Sequence, residues 1–235
     1  MKRSRINALI EEAKQFFADH QFYLPAFASW TPADWMTKGD EVREIVHNRL
    51  GWDITDFGSD DFENLGLLLF TLRNGHPRNW ETLEGKLYAE KIMIVRAGQV
   101  TPLHFHWNKS EDIINRGGGD LALALFNATE DDELDHTPVT VTMDGVRRTF
   151  DAGETVVLAP GASITVPTRL YHRFWGEGET VMVGEVSLVN DDDEDNRFYE
   201  PRGRYPTIEE DEPPVHLLVM DHARYYDPQA VGGDA

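Results

Sequence analysis

Seven short runs of apolar and β-branched residues follow Gly66, and they constrain the fold more than any other feature of the chain. Such runs, separated by Gly, Pro, Asn and Asp, are typical of β-strands joined by tight turns. They occupy residues 67–72, 86–95, 121–126, 139–143, 155–158, 163–166 and 180–189. Asp144-Gly145 joins two alternating segments and predicts a two-residue hairpin. We therefore expect a mainly β fold in which residues 66–190 form a barrel.

The segment that precedes the strands has helical periodicity. Apolar residues recur at three- and four-residue spacing at positions 6, 9, 10, 13, 16 and 17, which predicts a helix with one apolar face. Thr31-Pro32 is a helix start signal, and a second apolar stripe ends at Gly51. We expect residues 1–65 to be a helical cover packed outside the barrel and residues 191–235 to be a tail over or near its mouth. With 235 residues, 40% of them hydrophobic, the chain is predicted to be one domain.

His104, His106 and Glu111 lie within eight residues, flanked by Gly98 and Gly118. Residues two apart on a strand point to the same face, so the two imidazoles would share one side of a sheet. A strand that bends after them can bring the carboxylate back beside them. Neutral imidazole and carboxylate suit Mn, Fe, Co, Ni or Zn. A His-x-His pair is also common on protein surfaces, which is the alternative interpretation.

A second segment follows the predicted hairpin and reads Gly161-x5-Pro167-x-Arg169-x2-His172. The two segments together resemble the paired motifs of the cupin superfamily. In that superfamily two histidines and a glutamate from the first motif, and one histidine from the second, hold a divalent metal inside a small jelly-roll β-barrel. The resemblance implies that His172 is the fourth ligand. Arg169 stands where a glycine is usual and Gly176 where an asparagine is usual, so the turn before the histidine departs from the pattern.

Longer stretches narrow the resemblance. They include residues 88–93, 101–107, 109–119, 171–175, 184–187, 189–192 and 208–213. With these stretches the chain resembles the D-lyxose isomerase family of cupins over nearly its whole length. The resemblance implies a single-domain aldose–ketose isomerase, usually a homodimer, that depends on Mn, with Co, Fe, Ni or Zn as alternatives. It also implies free monosaccharide substrates, namely D-lyxose and D-xylulose, and D-mannose and D-fructose.

Such an isomerase needs a base that moves a proton between C1 and C2, and a cation that stabilises negative charge on oxygen. We favour Glu185 as the base, because it lies on a run expected to form a barrel strand, where its carboxylate can face the metal. Lys109 is assigned to charge stabilisation. Lys91, Trp107 and Glu210 are assigned to substrate binding.

Each of these assignments has an alternative. Glu185 could be a solvent-facing carboxylate, in which case the base would come from the tail. The rival residues there are Glu209, Glu210 and Asp211. Lys91 and Lys109 could be structural ion-pair partners, and Trp107 could be a core or wall residue.

A net charge of −20 limits the partners of the chain. Binding to nucleic acid or to an anionic membrane rests on Lys and Arg, so neither partner is expected. A sugar phosphate would need a cationic pocket, and only Lys86, Lys91 and Arg96 lie near the first motif, which favours a free sugar. No run approaches the ~18 apolar residues of a membrane span. The absence of cysteine agrees with a reducing compartment, and we expect a cytoplasmic protein.

Two further functions are compatible with the same ligand set. A cupin with three histidines and a glutamate could be an iron dioxygenase, or it could bind a sugar without catalysis. The identity of the bound metal and an assay for ketose formation separate these possibilities.

Two other motifs are interpreted as loops or turns. Residues 117–119 are three glycines without the lysine and helix of a phosphate-binding loop, so a barrel corner is predicted there. The acidic run at residues 190–196 lacks the glycine and glutamate of an EF-hand, and it is interpreted as a loop at the barrel mouth.

Overall fold

The protein is mainly β in a computed structural model that describes residues 1–231. Twelve strands of the described chain form one sheet whose ladders are antiparallel. They are β1 (Gly51–Thr55), β2 (Leu67–Arg73), β3 (Tyr88–Val95), β4 (Val100–His106), β5 (Glu111–Ala128), β6 (Leu134–Asp135), β7 (Val139–Met143), β8 (Val146–Phe150), β9 (Thr155–Leu158), β10 (Ser163–Val166), β11 (Leu170–Leu188) and β12 (Asn196–Phe198). Each predicted run coincides largely with one of these strands, so the predicted fold class is confirmed.

The long strands β5 and β11 organise the sheet. They pair with each other over most of their length, and β11 also pairs with β4 near one end and with β3 near the other. Their register shifts between Glu177 and Val181, beside Gly118. A Cβ at Gly118, where φ is +90°, would lie 2.1 Å from the carbonyl oxygen of Thr180, so only glycine fits there. The predicted corner at residues 117–119 is therefore a bend inside one strand and not a turn between two.

The sheet curls around an apolar interior. Alternate strand residues meet there in one buried cluster, among them Leu67, Leu69, Met93, Val95, Ile113, Val181 and Val183. The residues between them face the other side of the sheet, because side chains alternate along a strand. By the same alternation Lys91 of β3 and Glu185 of β11 point into the interior.

Helix α1 (Arg3–Asp19) covers the outer face of the sheet, as its apolar stripe predicts. The buried residues of the stripe are Ile6, Leu9, Ile10, Ala13 and Phe17. They pack against the outward-facing strand residues Trp52, Ile54, Leu68, Phe70, Ile92 and Ile94. Full burial of a large apolar side chain stabilises the folded state by roughly 1.5–3 kcal/mol. The helix and the sheet thus form a second apolar core on the outside of the barrel.

The remaining helices are short. They are α2 (Pro32–Trp35), α3 (Arg43–His47), α4 (Asn79–Thr82), α5 (His222–Tyr225) and α6 (Pro228–Val231), with 3-10 turns at Ala26–Ser29, Asp40–Val42 and Val219–Asp221. Within the described residues, no helix has the length and apolar character needed to cross a membrane.

A third apolar cluster joins Trp35 and Val42 to Leu217, so segments near both ends of the chain pack together.

The predicted helical cover at residues 1–65 is wrong after His47. Strand β1 follows at residues 51–55 and pairs with β2, which extends the sheet. The boundary lies at Gly51, where a φ of +125° is incompatible with a helix and turns the chain into the sheet. The predicted hairpin at Asp144-Gly145 is confirmed, because both residues have positive φ, 47° and 80°, between β7 and β8.

Candidate metal centre and active site

The alternation along β4 divides its aromatic side chains into two groups. His104 and His106 are buried and line an interior cavity. Phe105 points outward, where its ring packs edge-on against Trp107 and Tyr171. The two imidazoles thus share one face of the strand, as their spacing predicts.

His172 of β11 joins the two histidines of β4. It is paired with His104 across the β4–β11 ladder, and one nitrogen from each of the three rings lies within 4.8 Å of the others. The Nδ1 atom of each ring makes a hydrogen bond to a backbone carbonyl. His104 bonds to Pro102 (2.7 Å), His106 to Asp195 (3.0 Å) and His172 to Leu170 (3.0 Å). A neutral imidazole that donates from Nδ1 has an unprotonated Nε2, which is the form that binds a metal.

Glu111, the first residue of β5, brings a carboxylate to the three rings. Its Oε1 atom lies 3.0 Å from Nε2 of His172, and its Oε2 atom lies 3.5 Å from Nε2 of His106. Among the described residues, the buried Nε2 of His172 has no hydrogen-bond partner. An unprotonated nitrogen and a carboxylate oxygen at this distance are placed to bind the same cation. The donor set therefore fits a divalent transition-metal ion.

The surroundings keep these groups in the forms that bind a metal. Burial lowers the pKa of His104 to about 3, and the neighbouring His172 acts in the same direction. Burial also lowers the pKa of His106 well below its usual value. For Glu111, burial favours a higher pKa, but the Lys109 ammonium together with His106 and His172 outweighs it and holds the pKa well below the usual range. His104 and His106 are thus neutral and Glu111 is ionised at neutral pH, which are the forms that bind a metal.

Glu185 lies in the same interior and is buried. Its Oε1 atom accepts a hydrogen bond from Nζ of Lys109 at 2.8 Å and lies 3.3 Å from Nζ of Lys91. The hydroxyl of Ser187 donates to it at 3.1 Å. Lys109 also lies 2.8 Å from Oε2 of Glu111, so one lysine joins Glu185 to the histidine cluster. The alternative of a solvent-facing carboxylate at position 185 does not hold.

The acidic loop at residues 190–196 supplies side chains to this site. Asn190 Oδ1 accepts hydrogen bonds from Lys91 at 2.5 Å and from Lys109 at 3.2 Å. The Asp195 carboxylate accepts the backbone N–H groups of Asn108 at 2.7 Å and Lys109 at 3.1 Å. The sequence predicts a loop here but not these contacts, because a loop has no periodicity that gives the direction of its side chains.

Arg204 reaches the same cavity, and no sequence pattern indicates it. Its Nη2 atom lies 2.5 Å from Oδ2 of Asp53 in β1 and 3.3 Å from Oδ1 of Asp192 in the acidic loop. The hydroxyl of Thr55 donates to its carbonyl oxygen at 2.7 Å, which ties this part of the tail to β1. Strand β1, which lies in the segment predicted to be helical cover, therefore contributes to the site.

One cavity is lined by the three histidines, Glu111, Glu185, both lysines and Arg204. Its polar wall consists of Lys91, Thr101, His104, His106, Lys109, Glu111, His172, Glu185, Asp192, Asn196 and Arg204. Its apolar wall consists of Phe57, Leu67, Leu69, Met93, Ile113, Phe174 and Phe198. An apolar lining with a few convergent polar groups is typical of sites for small ligands.

Comparison with known proteins identifies the family. The sequence matches the family model described as D-lyxose isomerase over residues 1–222. A protein of Serratia proteamaculans named D-lyxose/D-mannose isomerase is 51% identical over 229 residues, which cover 96% of this chain and 99% of that protein. A protein of Escherichia coli O157:H7 with the same name is 48% identical over 228 residues, which cover 96% of this chain and 100% of that protein.

The chain belongs to the D-lyxose isomerase family. The predicted resemblance is thereby confirmed, and so is the prediction of an aldose–ketose isomerase.

Two solved structures of L-ribose isomerases have a similar fold. The L-ribose isomerase of Cellulomonas parahominis with L-ribose has a TM-score of 0.57 at 17% identity, covering 89% of this chain and 98% of that one. The L-ribose isomerase of Acinetobacter sp. DL28 in complex with L-ribose has a TM-score of 0.58 at 17% identity and the same coverage. At this identity the likeness concerns the fold alone.

Two residues predicted to bind substrate lie away from the cavity of this isomerase. The ring of Trp107 packs against Phe105 on the outer face, 5.4 Å from the guanidinium of Arg169, because position 107 continues the outward parity of β4. Glu210 lies 2.8 Å from Arg3 of α1. The neighbouring tail residues also contact the start of the chain, through Glu209 O with Arg3 N and Asp211 with Ser4. The tail therefore reaches the cavity near residue 204 but leaves it before residue 209.

The turn before His172 contains Arg169, the residue that departs from the motif. Arg169 has a φ of +60°, the left-handed conformation that a glycine adopts without strain. Its guanidinium lies 2.7 Å from the carboxylate of Asp132 and donates to the carbonyl of Thr129 at 2.8 Å. These contacts stabilise a backbone conformation that residues other than glycine rarely adopt.

Proposed function

We propose that this protein is a metal-dependent isomerase that interconverts D-lyxose with D-xylulose and D-mannose with D-fructose. The observation that carries the proposal is the buried cluster of three histidines and Glu111 beside the ion pair of Glu185 and Lys109. The choice of sugars rests on two relatives, each about half identical to this chain, that are named D-lyxose/D-mannose isomerase.

We assign the metal to His104, His106, Glu111 and His172. Mn²⁺ is the expected ion, with Co, Fe, Ni and Zn as alternatives, because neutral nitrogen and carboxylate oxygen ligands accept all of them. The carbonyl groups that hold the three Nδ1 atoms orient the rings. When bound, the ion polarises the carbonyl and the adjacent hydroxyl of the sugar and makes the hydrogen between them more acidic.

We assign the role of base to Glu185, which moves the proton between C1 and C2 through a cis-enediol. Contacts with Lys109, Lys91 and Ser187 fix the orientation of its carboxylate before a sugar binds. Burial favours a lower pKa for Lys109, but Glu111 and Glu185 outweigh it and raise the pKa, so this lysine stays charged. Its charge stabilises the negative charge that develops on the sugar oxygen, and Lys91 binds a neighbouring oxygen.

The charge balance of the cavity favours a free sugar over a sugar phosphate. Among the described residues that line it, the three cations Lys91, Lys109 and Arg204 are matched by the three carboxylates Glu111, Glu185 and Asp192. The sequence suggested two other cations for a phosphate pocket, Lys86 and Arg96. Lys86 forms a surface ion pair with Glu44, and Arg96 forms surface ion pairs with Glu12 and Glu63. A phosphate brings about two negative charges and needs unmatched cations, whereas a sugar hydroxyl does not.

We also expect a cytoplasmic homodimer, as the resemblance to the family implies. Light scattering coupled to size-exclusion chromatography measures the mass of the particle directly. A mass near twice 26.8 kDa is the expected result, and a mass near that of one chain would contradict the dimer.

The experiment that tests the proposal compares free sugars and phosphates side by side. Metal-free protein is loaded with Mn²⁺, and ketose or aldose formation is measured at fixed ionic strength. We expect D-lyxose and D-mannose to be isomerised with a higher kcat/KM than mannose 6-phosphate or glucose 6-phosphate. A clear preference for the phosphates would contradict the substrate assignment while leaving the metal assignment intact.

A further inference from the structure

Asp195, near the end of the acidic loop, has a buried carboxylate and is not among the described residues that line the cavity. It comes directly before β12, whose first residue, Asn196, pairs with His106 of β4. This pairing places Asp195 beside the end of β4, where the chain turns towards β5 and carries Lys109. The residue therefore lies next to the proposed metal site and the proposed charge-stabilising lysine, although it is 86 positions from Lys109 in the chain.

Both oxygens of the Asp195 carboxylate accept hydrogen bonds from the turn between β4 and β5. Oδ1 accepts the backbone N–H of Asn108 at 2.7 Å and the side-chain amide of the same residue at 3.1 Å. Oδ2 accepts the backbone N–H of Lys109 at 3.1 Å. Residues 107–110 belong to neither strand, so no ladder fixes them. Hydrogen bonds to an ionised carboxylate are roughly twice as strong as those between neutral groups, so these three bonds hold the turn.

The backbone carbonyl of Asp195 makes a further contact, with a ring of the proposed metal site. It lies 3.0 Å from Nδ1 of His106 and makes a hydrogen bond with it. One residue thus contacts His106 through its main chain and the backbone of Lys109 through its side chain. The ammonium group of Lys109 lies 2.8 Å from both Glu111 and Glu185. A shift of the turn would therefore move this ammonium relative to both carboxylates.

We propose that Asp195 is a positioning residue of the isomerase, whose carboxylate fixes the β4–β5 turn and thereby holds the Lys109 ammonium where charge develops on the sugar. The inference rests on the proposed function. Lysine carries its charge on a flexible four-carbon chain, so the position of the charge depends on a fixed starting point. Because Asp195 acts through Lys109 and does not contact the sugar, its loss should lower kcat and leave KM nearly unchanged.

Two variants and one control test the role. Asp195→Ala removes both acceptor oxygens but keeps the backbone carbonyl that contacts His106. Asp195→Asn keeps the shape of the side chain with one acceptor oxygen in place of two, and it replaces the first variant if that protein does not fold. Glu194→Ala is the matched control, because it removes an exposed carboxylate from the same loop. Far-UV circular dichroism and Mn content are measured for every protein, and both should match those of the wild type.

Hydrogen exchange in the metal-free protein tests the contact independently of activity. We expect the backbone amides of Asn108 and Lys109 to exchange about 10- to 100-fold faster in Asp195→Ala, the usual range for lost hydrogen bonds to a charged group. Amides in the centre of the β5–β11 ladder should keep their rates, and Glu194→Ala should exchange like the wild type. Unchanged exchange at positions 108 and 109 would overturn the inference, whatever the enzyme does.

Steady-state kinetics of the Mn-loaded proteins on D-lyxose test whether the contact serves Lys109. We expect kcat to fall about 10- to 100-fold in Asp195→Ala with KM within about threefold, because misplacing a catalytic group by about 1 Å costs on the order of 10²-fold. In the Lys109→Met protein, the same change at position 195 should lower kcat by less than about threefold, since the group it positions is already gone. Glu194→Ala should match the wild type.

Two kinetic results would also overturn the inference. An unchanged kcat in Asp195→Ala would mean that the turn places the lysine without the carboxylate. Equal losses from Asp195→Ala with Lys109 present and with Met in its place would mean that Asp195 acts independently of the lysine. If the folded, Mn-loaded wild type forms no D-xylulose from D-lyxose, the proposed function itself fails and the inference fails with it.

Discussion

The ammonium group of Lys109 donates to Oε1 of Glu185 at 2.8 Å, although the two residues are 76 positions apart in the chain. The same ammonium lies 2.8 Å from Oε2 of Glu111. One buried cation therefore joins the carboxylate of the proposed metal site to the carboxylate proposed as the base. The arrangement allows the metal and the base to act on neighbouring carbons of one sugar.

Replacing Glu185 with Gln tests the assignment of the base. The amide keeps the shape and the hydrogen bonds of the side chain but cannot take a proton, so we expect kcat to fall about 10²- to 10⁴-fold with metal content retained. Steady-state kinetics and metal analysis of the same preparation measure both. Glu177→Gln, an exposed change on the same strand, is the control. A near-normal rate would show that Glu185 is not the base.

Replacing Lys109 with Met removes the cation between the two carboxylates. Because its charge matters most when negative charge develops on the sugar oxygen, kcat should fall by more than KM rises, with a loss on the order of 10²-fold. Lys86→Met, at a surface ion pair, is the matched control and should leave both constants unchanged. An effect on KM alone would assign Lys109 to ground-state binding.

The alternation of strand residues made much of the site predictable. The spacing of His104 and His106 gives their common face, and the strand run around Glu185 indicates that its carboxylate can point inward. The same period, applied beyond the end of β4, would have placed Trp107 on the outer face, where its ring packs against Phe105. Strand periodicity is informative because each side chain has only two possible directions.

Residues on irregular segments could not be placed from the sequence. Arg204 reaches the cavity from the tail, and Asn190 contacts its lysines from a loop; in neither segment does a period fix the side-chain direction. Glu210 lies in the same tail but contacts Arg3 outside the barrel. Strand β1 was hidden because an apolar helical stripe runs up to Gly51, and only the backbone at that glycine separates the two elements.

Replacing His106 with Ala tests the metal site. The loss of one of four ligands should remove stoichiometric metal and activity, while the far-UV circular dichroism spectrum of the barrel is retained. His47→Ala, at the exposed end of α3, is the control and should keep its metal. Full occupancy in the His106 variant, measured by elemental analysis, would refute the ligand assignment.

A pH effect on stability is expected from His222, which lies outside the cavity. Burial lowers the pKa of His222 to about 4, although Asp221 opposes the shift, and its ring packs on Trp35 at 4.6 Å. The unfolded chain takes up this proton first, near its usual pKa of about 6.5. The contribution to stability is therefore complete above about pH 6.5 and is lost as the pH falls towards 4.

His222→Phe keeps an aromatic ring and removes Nδ1, which is buried and has no hydrogen-bond partner within the part of the chain that the structure describes. Between about pH 7.5 and about pH 5, the free energy of unfolding of the metal-free wild type should fall by on the order of 2 kcal/mol more than that of the variant. Urea unfolding at both pH values measures the difference. The metal-site histidines are present in both the wild type and the variant, so their titration does not contribute to the difference between the two proteins. Equal pH dependence would contradict the prediction.

The most direct test of the central claim is turnover of D-lyxose in D₂O, followed by proton NMR, with the Mn-loaded and the metal-free protein. We expect that only the Mn-loaded protein forms D-xylulose and that the product carries deuterium at C1, because a base that exchanges with solvent moves the proton between C1 and C2. Equal rates for the two preparations, or no D-xylulose from a folded and fully Mn-loaded protein, would contradict it.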